Sequence, residues 1–425
     1  MTLALIVLGT GGLLLLRVPV AFALLAPSLG YILLTDGITT SVAIQRVTAG
    51  LNSFPLLAVP LFILTGFLAN AAGVAERLFT FLERLFGRVR GNLGYVNVTS
   101  SVVFSWMSGT ALADAAGLGS VLVPAMRRRG YEEGFALGLT GASAMIGPIM
   151  PPSVPAIIYA VTAGVSIGAL FLAGVLPALV LALVLAGYVF LYTRRHPALD
   201  AGPAAAGRLR ATARALPVLF TPVIILGGIL GGVFTPTEAA AAAASYVLLL
   251  GVLYRSLSWR DLHGVFMRTA ETTAAIMLIV AAASLFGWVV AREQGPQIVT
   301  AAILSLTDNP IVFLLLVNVA LLLVGMLLEP VGALLIVVPV LLPVAAQFGV
   351  DPLHLGVVMI LNLVIGLLTP PVGLVLYVLS SVTGAPLPRV ARGTMPFLLP
   401  LGITLLVVTF VPAVSLFLPR VLGLR

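Results

Sequence analysis

The sequence predicts an all-α polytopic membrane protein built as an inverted-topology repeat, with two re-entrant hairpins and two broken helices. Three observations predict it. The 425 residues are 60% hydrophobic and only 8% charged, with mean hydropathy +1.19, whereas a soluble domain carries about a quarter charged residues. A Gly-x-x-x-Pro-Pro pattern occurs twice inside apolar stretches, at residues 147–152 and 366–371, 219 residues apart. All 22 basic residues are arginines, and they gather between the apolar segments, where they set topology. The net charge of +8 is therefore read against a membrane and not as a nucleic-acid footprint. There is no cysteine, which excludes disulfides, thiolate catalysis and cysteine-ligated metals.

In the first half, residues 3–16 and 18–34 are apolar runs parted by Arg17-Val-Pro19. Residues 40–52 are too polar to span and suit the membrane interface, and 54–72 span. Met1 to Leu16 lacks a basic leader and a small-residue cleavage site, so it reads as a retained membrane segment. Residues 75–90 place Leu78, Leu82, Leu85 and Phe86 at helical spacing with Arg77, Arg84 and Arg88 between them, the pattern of an amphipathic interfacial helix. Residues 93–107 and 112–126 are each shorter than the roughly 20 residues a span requires. A small polar turn around Ser108-Gly109 joins them, and Arg127 to Arg129 follow. They predict a re-entrant hairpin over 93–126. Residues 133–163 hold the first broken helix, because each Pro-Pro removes amide donors and clashes with the preceding turn. Residues 168–193 span.

Residues 194–214, with Arg194, Arg195, His196, Pro197 and Gly202-Pro203, read as a cytoplasmic linker. They divide the chain into a first repeat, 1–195, the linker proper, 196–214, and a second repeat, 215–425. The second half repeats the order. Apolar runs at 215–232 and 239–254 flank Thr235-Pro-Thr-Glu238, which reads as a helix N-terminal cap. Residues 258–270 are mixed, 271–291 span, 296–307 are mixed, and 310–345 form a second hairpin. Residues 353–383 hold the second broken helix, 385–395 are interfacial and 396–418 span. Arginines flank the first hairpin, whereas 293–309 and 346–352 carry none beside the second. The two hairpins therefore enter from opposite sides. The halves match element by element only if 3–16 and 18–34 are separate segments.

A broken helix survives in a membrane only where its freed amides and carbonyls meet protein, water or a ligand. Paired breaks in corresponding halves point to a binding site near the midplane. Buried ionisable groups are functional candidates there. Asp114 and Glu329 each stand ten residues before a proline, Pro124 and Pro339, and each lies just past a hairpin tip. Each either helps hold a cation or accepts from amides at the start of the following helix. Gly109, Gly147, Gly325 and Gly366 allow carbonyls to turn towards an ion. Ser105, Ser108, Ser143, Asn362 and Thr369 supply the oxygens a hard cation takes, or bond back to their own helices. For substrate, the candidates are Ser108, Thr110, Pro151, Ser153, Pro371 and Gly373, at the tip and the breaks, where helix amides face inward and suit a carboxylate. His354 reads as a satisfied interfacial histidine. No Walker loop or HExxH motif is present, so the sequence is not read as that of an enzyme.

The runs 108–126, 147–159, 234–240 and 366–373 resemble the large membrane subunit of tripartite ATP-independent periplasmic (TRAP) transporters, the DctM-like type, and the likeness covers essentially the whole chain. Two departures stand out: Glu329 where the family usually has Asp, and Trp106-Met107 where small polar residues are common. The resemblance implies a sodium-coupled elevator in the bacterial inner membrane. A transport domain of hairpins and broken helices would move against a scaffold of the remaining helices. It implies Na+ held by Ser105, Ser108, Gly109, Ser143 and Gly147 at one site and by Gly325, Asn362, Gly366 and Thr369 at the other. It also implies a separate small membrane subunit (DctQ-like) and a periplasmic substrate-binding protein (DctP-like). That protein would deliver an organic acid such as a C4-dicarboxylate or a sialic acid. A membrane-embedded enzyme using Asp114 and Glu329 as an acid pair is the alternative; it needs the two carboxylates within about 10 Å.

Overall fold

The computed structural model describes residues 2–87, 89–196, 199 and 216–424, and among them there is no strand. Of the linker, only His196 and Leu199 lie within the described residues, and Arg88 lies outside them. The helices are α1 (Thr2–Leu15), α2 (Val20–Leu34), α3 (Ser41–Leu51), α4 (Ala58–Ala71), α5 (Val74–Leu85), α6 (Asn92–Ser108), α7 (Ala111–Arg128), α8 (Glu133–Ala144), α9 (Val154–Ala163) and α10 (Ile167–Arg195). The second half holds α11 (Leu216–Leu230), α12 (Pro236–Leu253), α13 (Trp259–Arg292), α14 (Gly295–Leu306), α15 (Pro310–Leu327), α16 (Pro330–Gln347) and α17 (Pro352–Gly366). It ends with α18 (Leu374–Thr383), α19 (Leu387–Thr394), α20 (Leu398–Phe410) and α21 (Pro412–Val421). Among the described residues, seven stretches are long and apolar enough to cross a membrane.

The two broken helices form the centre. Every residue of α17 from Leu353 to Gly366 is buried, as is α8 from Phe135 to Ala144. A helix that is apolar all round must lie inside a bundle or in lipid, and these two lie inside. Helix α7 packs on α8 and α18, α15 on α17, and α16 on α9 and α13. An outer group, α2, α3, α4, α12 and α13, packs mainly on itself. Leu8, Leu183, Leu253 and Leu323 are exposed. Such a surface is a liability in water and suits a face towards acyl chains. At the arginine-bearing base of the first hairpin, Glu133 pairs with Arg127 (3.0 Å) and with Arg389 of α19 (2.9 Å), and Arg129 pairs with Glu83 of α5 (2.7 Å).

Both breaks fall where the Pro-Pro pairs predict them, between α8 and α9 and between α17 and α18; the Pro151-Pro152 and Pro370-Pro371 peptides are cis. The segments 3–16 and 18–34 are separate helices, α1 and α2. The cap at Thr235 forms as a capping box, with the Thr235 amide donating to Glu238 at 2.8 Å.

Three details differ from expectation. Residues 258–291 do not divide into an interfacial piece and a span; they form one 34-residue helix, α13, about 51 Å long. In the first half Pro55 and a 3-10 turn over Phe54–Leu57 part α3 from α4, and no proline occurs between 259 and 292 to do the same. The second hairpin's helices are 18 residues each and meet the length and hydropathy of a span, so shortness does not make that hairpin re-entrant. The last apolar stretch is interrupted, α20 ending at Phe410 and α21 starting at Pro412.

Candidate functional site

A cavity of about 740 Å³ lies where the two halves meet. Its wall includes the first hairpin tip (Ser108, Thr110 to Ala113), the second (Glu329, Pro330, Val331), and residues beside the breaks (Pro148, Val154, Pro155, Leu367). The opposite wall comes from α4, through Gly66 and Asn70, and from α13, through Arg268, Thr272 and Ile276. It extends to Glu76, Arg260 and Asp261, which are exposed.

Among the helix N-termini that border this cavity are those of α7, α9 and α16. Each is started by a capping side chain. Thr110 accepts from the Ala113 amide (3.3 Å), Ser153 from Ala156 (3.1 Å), and Glu329 from Val331 (3.0 Å) and Gly332 (3.4 Å). The positive ends of three helices therefore converge on one space, which favours an anionic guest. Of the predicted substrate residues, Ser108 and Thr110 are in the wall. Pro151, Ser153, Pro371 and Gly373 are not, and the lining near the breaks comes from their neighbours.

The first cluster of candidate cation ligands is drawn together. Gly109 ends α6 with φ +60, and its carbonyl accepts from the Val154 amide at 3.3 Å. This bond ties the tip to the start of α9. Ser108 donates to Asp114 Oδ1. Asp114 is fully buried, and its other oxygen has no hydrogen-bond partner. A Cβ placed on Gly147 would stand 3.1 Å from that Asp114 oxygen, 3.1 Å from the Thr110 carbonyl and 3.3 Å from the Ala144 carbonyl. Three oxygens thus converge on a space kept open by glycine, the type of donor set a hard cation takes. Ser105 turns back to the Val102 carbonyl (2.7 Å) and Ser143 joins Asn97 and Ser101 (2.8 and 2.9 Å), so these bonds hold both hydroxyls to partners outside the cradle.

In the second cluster, Gly325 and Gly366 bring α15 and α17 into backbone contact. Asn362 donates to the carbonyl (3.1 Å) and Oδ1 (2.7 Å) of Asn318, and its own Oδ1 is buried without a partner. Thr369 turns back to Ile365 (2.9 Å). Glu329 adopts the capping role that the sequence left open beside ligation. Sequence reasoning missed Asn97 and Asn318. Both are buried amides on the first helix of a hairpin, 221 residues apart, and that spacing is the signal that could have found them. Replacing Gly109 by alanine is expected to lower the apparent melting temperature in detergent and cut uptake severalfold. The left-handed backbone costs a side chain about 1–2 kcal/mol, and the new methyl would stand 2.7 Å from the Pro152 carbonyl.

Residues 7–414 match the family of the tripartite ATP-independent periplasmic transporter, DctM component. The chain is 46% identical over 417 residues to the sialic acid TRAP transporter large permease protein SiaM of Vibrio cholerae serotype O1, covering 97% of each. It is 38% identical over 374 residues to the C4-dicarboxylate TRAP transporter large permease protein DctM of Pseudomonas aeruginosa, covering 87% of each. Among solved structures, the Alcanivorax borkumensis YdaH transporter superposes with a TM-score of 0.63 at 16% identity, covering 96% of this chain and 98% of that one. That likeness concerns the fold alone.

Proposed function

The chain belongs to the DctM family of TRAP transporter large permeases, multi-pass proteins of the bacterial inner membrane and not enzymes, and from that premise we propose that it imports an organic acid by sodium symport. The substrate is a carboxylate, and a sialic acid is the first to test because the 46% identical relative is named for one. A small DctQ-like membrane subunit and a periplasmic DctP-like binding protein complete the system.

One observation carries this reading: both hairpin tips and residues beside both helix breaks border a single cavity, together with the N-termini of α7, α9 and α16. Two hairpins that crossed the membrane would place their tips at opposite faces. Hairpins re-entering from opposite sides bring them together, and these tips share one wall. The amides of α7, α9 and α16 suit the carboxylate. The buried, unpaired oxygens at Asp114 and Asn362 suit two sodium ions carried as co-substrates. The cavity reaches Arg260 and Arg268, on the arginine-bearing side, which supports reading this form as open to the cytoplasm. Transport then follows from the inner group of helices, with both sites, moving against α4 and α13.

The test is uptake of radiolabelled organic acids into proteoliposomes that contain the chain, the small subunit and the binding protein, with and without an inward sodium gradient. Uptake is expected to require both the binding protein and sodium. Saturable uptake that needs the binding protein but ignores sodium would remove the two cation sites.

A further inference from the structure

Asn318 has a place in the fold that the family likeness does not supply. It is 4% exposed on α15, and Asn362 faces it from α17, 0% exposed. The Asn318 amide nitrogen donates to Thr409 Oγ1 on α20 at 3.1 Å, which sets the direction of its carbonyl oxygen. That oxygen and the Asn318 backbone carbonyl accept both bonds from Asn362. With its nitrogen committed twice to Asn318, Asn362 presents its own oxygen to the other side, buried and unpaired. His354 closes the row from the far end, its Nε2 lying 3.1 Å from the Thr409 carbonyl. A buried amide oxygen with no donor is unfavourable unless something binds it.

The first half builds a related link. Asn97 on α6 donates to Thr140 Oγ1 (2.7 Å) and accepts from Ser143 (2.8 Å) on α8. Asn97 and Asn318 lie 221 residues apart and Ser143 and Asn362 lie 219 apart, so the same pair of repeat positions is joined twice.

We infer that Asn318 is a positioning residue for cation binding: it orients the Asn362 amide so that one buried oxygen stays free for the ion. Asn97 occupies the corresponding repeat position in the first half, where it accepts from Ser143. This rests on the sodium reading above. The competing account is that Asn318 only holds α15 to α17, as interhelical amides do in membranes. Loss of such a bond lowers stability but leaves the sodium response alone.

The test is thermal melting of the purified full chain in detergent as sodium chloride replaces choline chloride at constant ionic strength, with sodium-dependent uptake measured alongside. Wild type is expected to melt higher as sodium rises. Asn318→Leu is expected to shift the half-saturating sodium concentration upward about tenfold, the scale of one hydrogen bond to a charged or ion-binding group. Asn318→Ser, which keeps an acceptor, is expected to shift it about threefold. On an Asn362→Ala background, Asn318→Leu adds no further shift. A half-point within twofold of wild type in Asn318→Leu overturns the inference. If that variant does not fold, an unshifted Asn318→Ser overturns it equally. No sodium response in wild type overturns this inference and the sodium reading together, whereas a normal wild-type response with unshifted variants overturns this inference alone.

Discussion

Gly366→Ala is expected to lower uptake at least about tenfold and to reduce the apparent melting temperature, because a methyl there has no space to enter. A Cβ on Gly366 would stand 2.5 Å from the Gly325 carbonyl oxygen and 2.6 Å from the Gly325 Cα. These are backbone atoms, so no rotamer change removes the contact. Helix α17 is buried from Leu353 to Gly366 and cannot move aside without disturbing its neighbours. Forcing extra volume into such a core costs about 1–3 kcal/mol, and the displacement falls one turn from Asn362. Gly402→Ala on α20 is the control: nothing lies within 4 Å of its Cβ position, and alanine is the better helix former by about 1 kcal/mol. Uptake and melting temperature should hold for Gly402→Ala and fall for Gly366→Ala. Equal behaviour of the two would mean that the close approach of α15 and α17 is not needed.

Much of this architecture is visible in the chain because its signals are local. A Pro-Pro pair must break a helix wherever it sits, so both breaks were readable from residues 147–152 and 366–371. Thr235 to Glu238 form their cap from four consecutive residues, and Arg17-Val-Pro19 separates α1 from α2 in the same way. What the chain does not display is pairing across elements. Asn318 looks like an isolated polar interruption in an apolar helix, and Asn97 like one of several polar residues along α6, until the fold sets them against Asn362 and Ser143. His354 reads as interfacial from its place beside Asp351 and Pro352, yet it is 2% exposed and bonds to the Thr409 carbonyl. Only the packing of α17 on α20 and α21 buries it. The boundary at 271 failed for a related reason: polar residues at 258–270 describe surroundings, not backbone continuity, and α13 runs straight through.

Asp114 offers the sharpest test of the first cation cradle. Its carboxyl lies fully buried, with one oxygen accepting from Ser108 and the other unpaired beside the Thr110 and Ala144 carbonyls. A buried carboxylate costs several kcal/mol unless a cation or donors meet it, and Ser108 meets only half of it. Asp114→Asn keeps the shape and the acceptor for Ser108. It removes the charge and replaces the unpaired oxygen with an NH2 that can donate to the second lone pairs of the neighbouring carbonyls, which already accept from the Asp114 and Gly147 amides. The variant is therefore expected to melt at or above the wild-type temperature in choline chloride and to lose much of the rise that sodium produces. Losing a charged ligand worth about 1.5–3 kcal/mol corresponds to a fall in sodium affinity of roughly 10- to 150-fold, and uptake at fixed sodium should fall with it. A purely capping Asp114 gives the opposite pattern: Asp114→Asn would melt lower in both salts, with the sodium increment intact. The sign of the change in choline and the size of the sodium increment therefore separate an ion ligand from a helix cap, using folded protein alone and no transport assay.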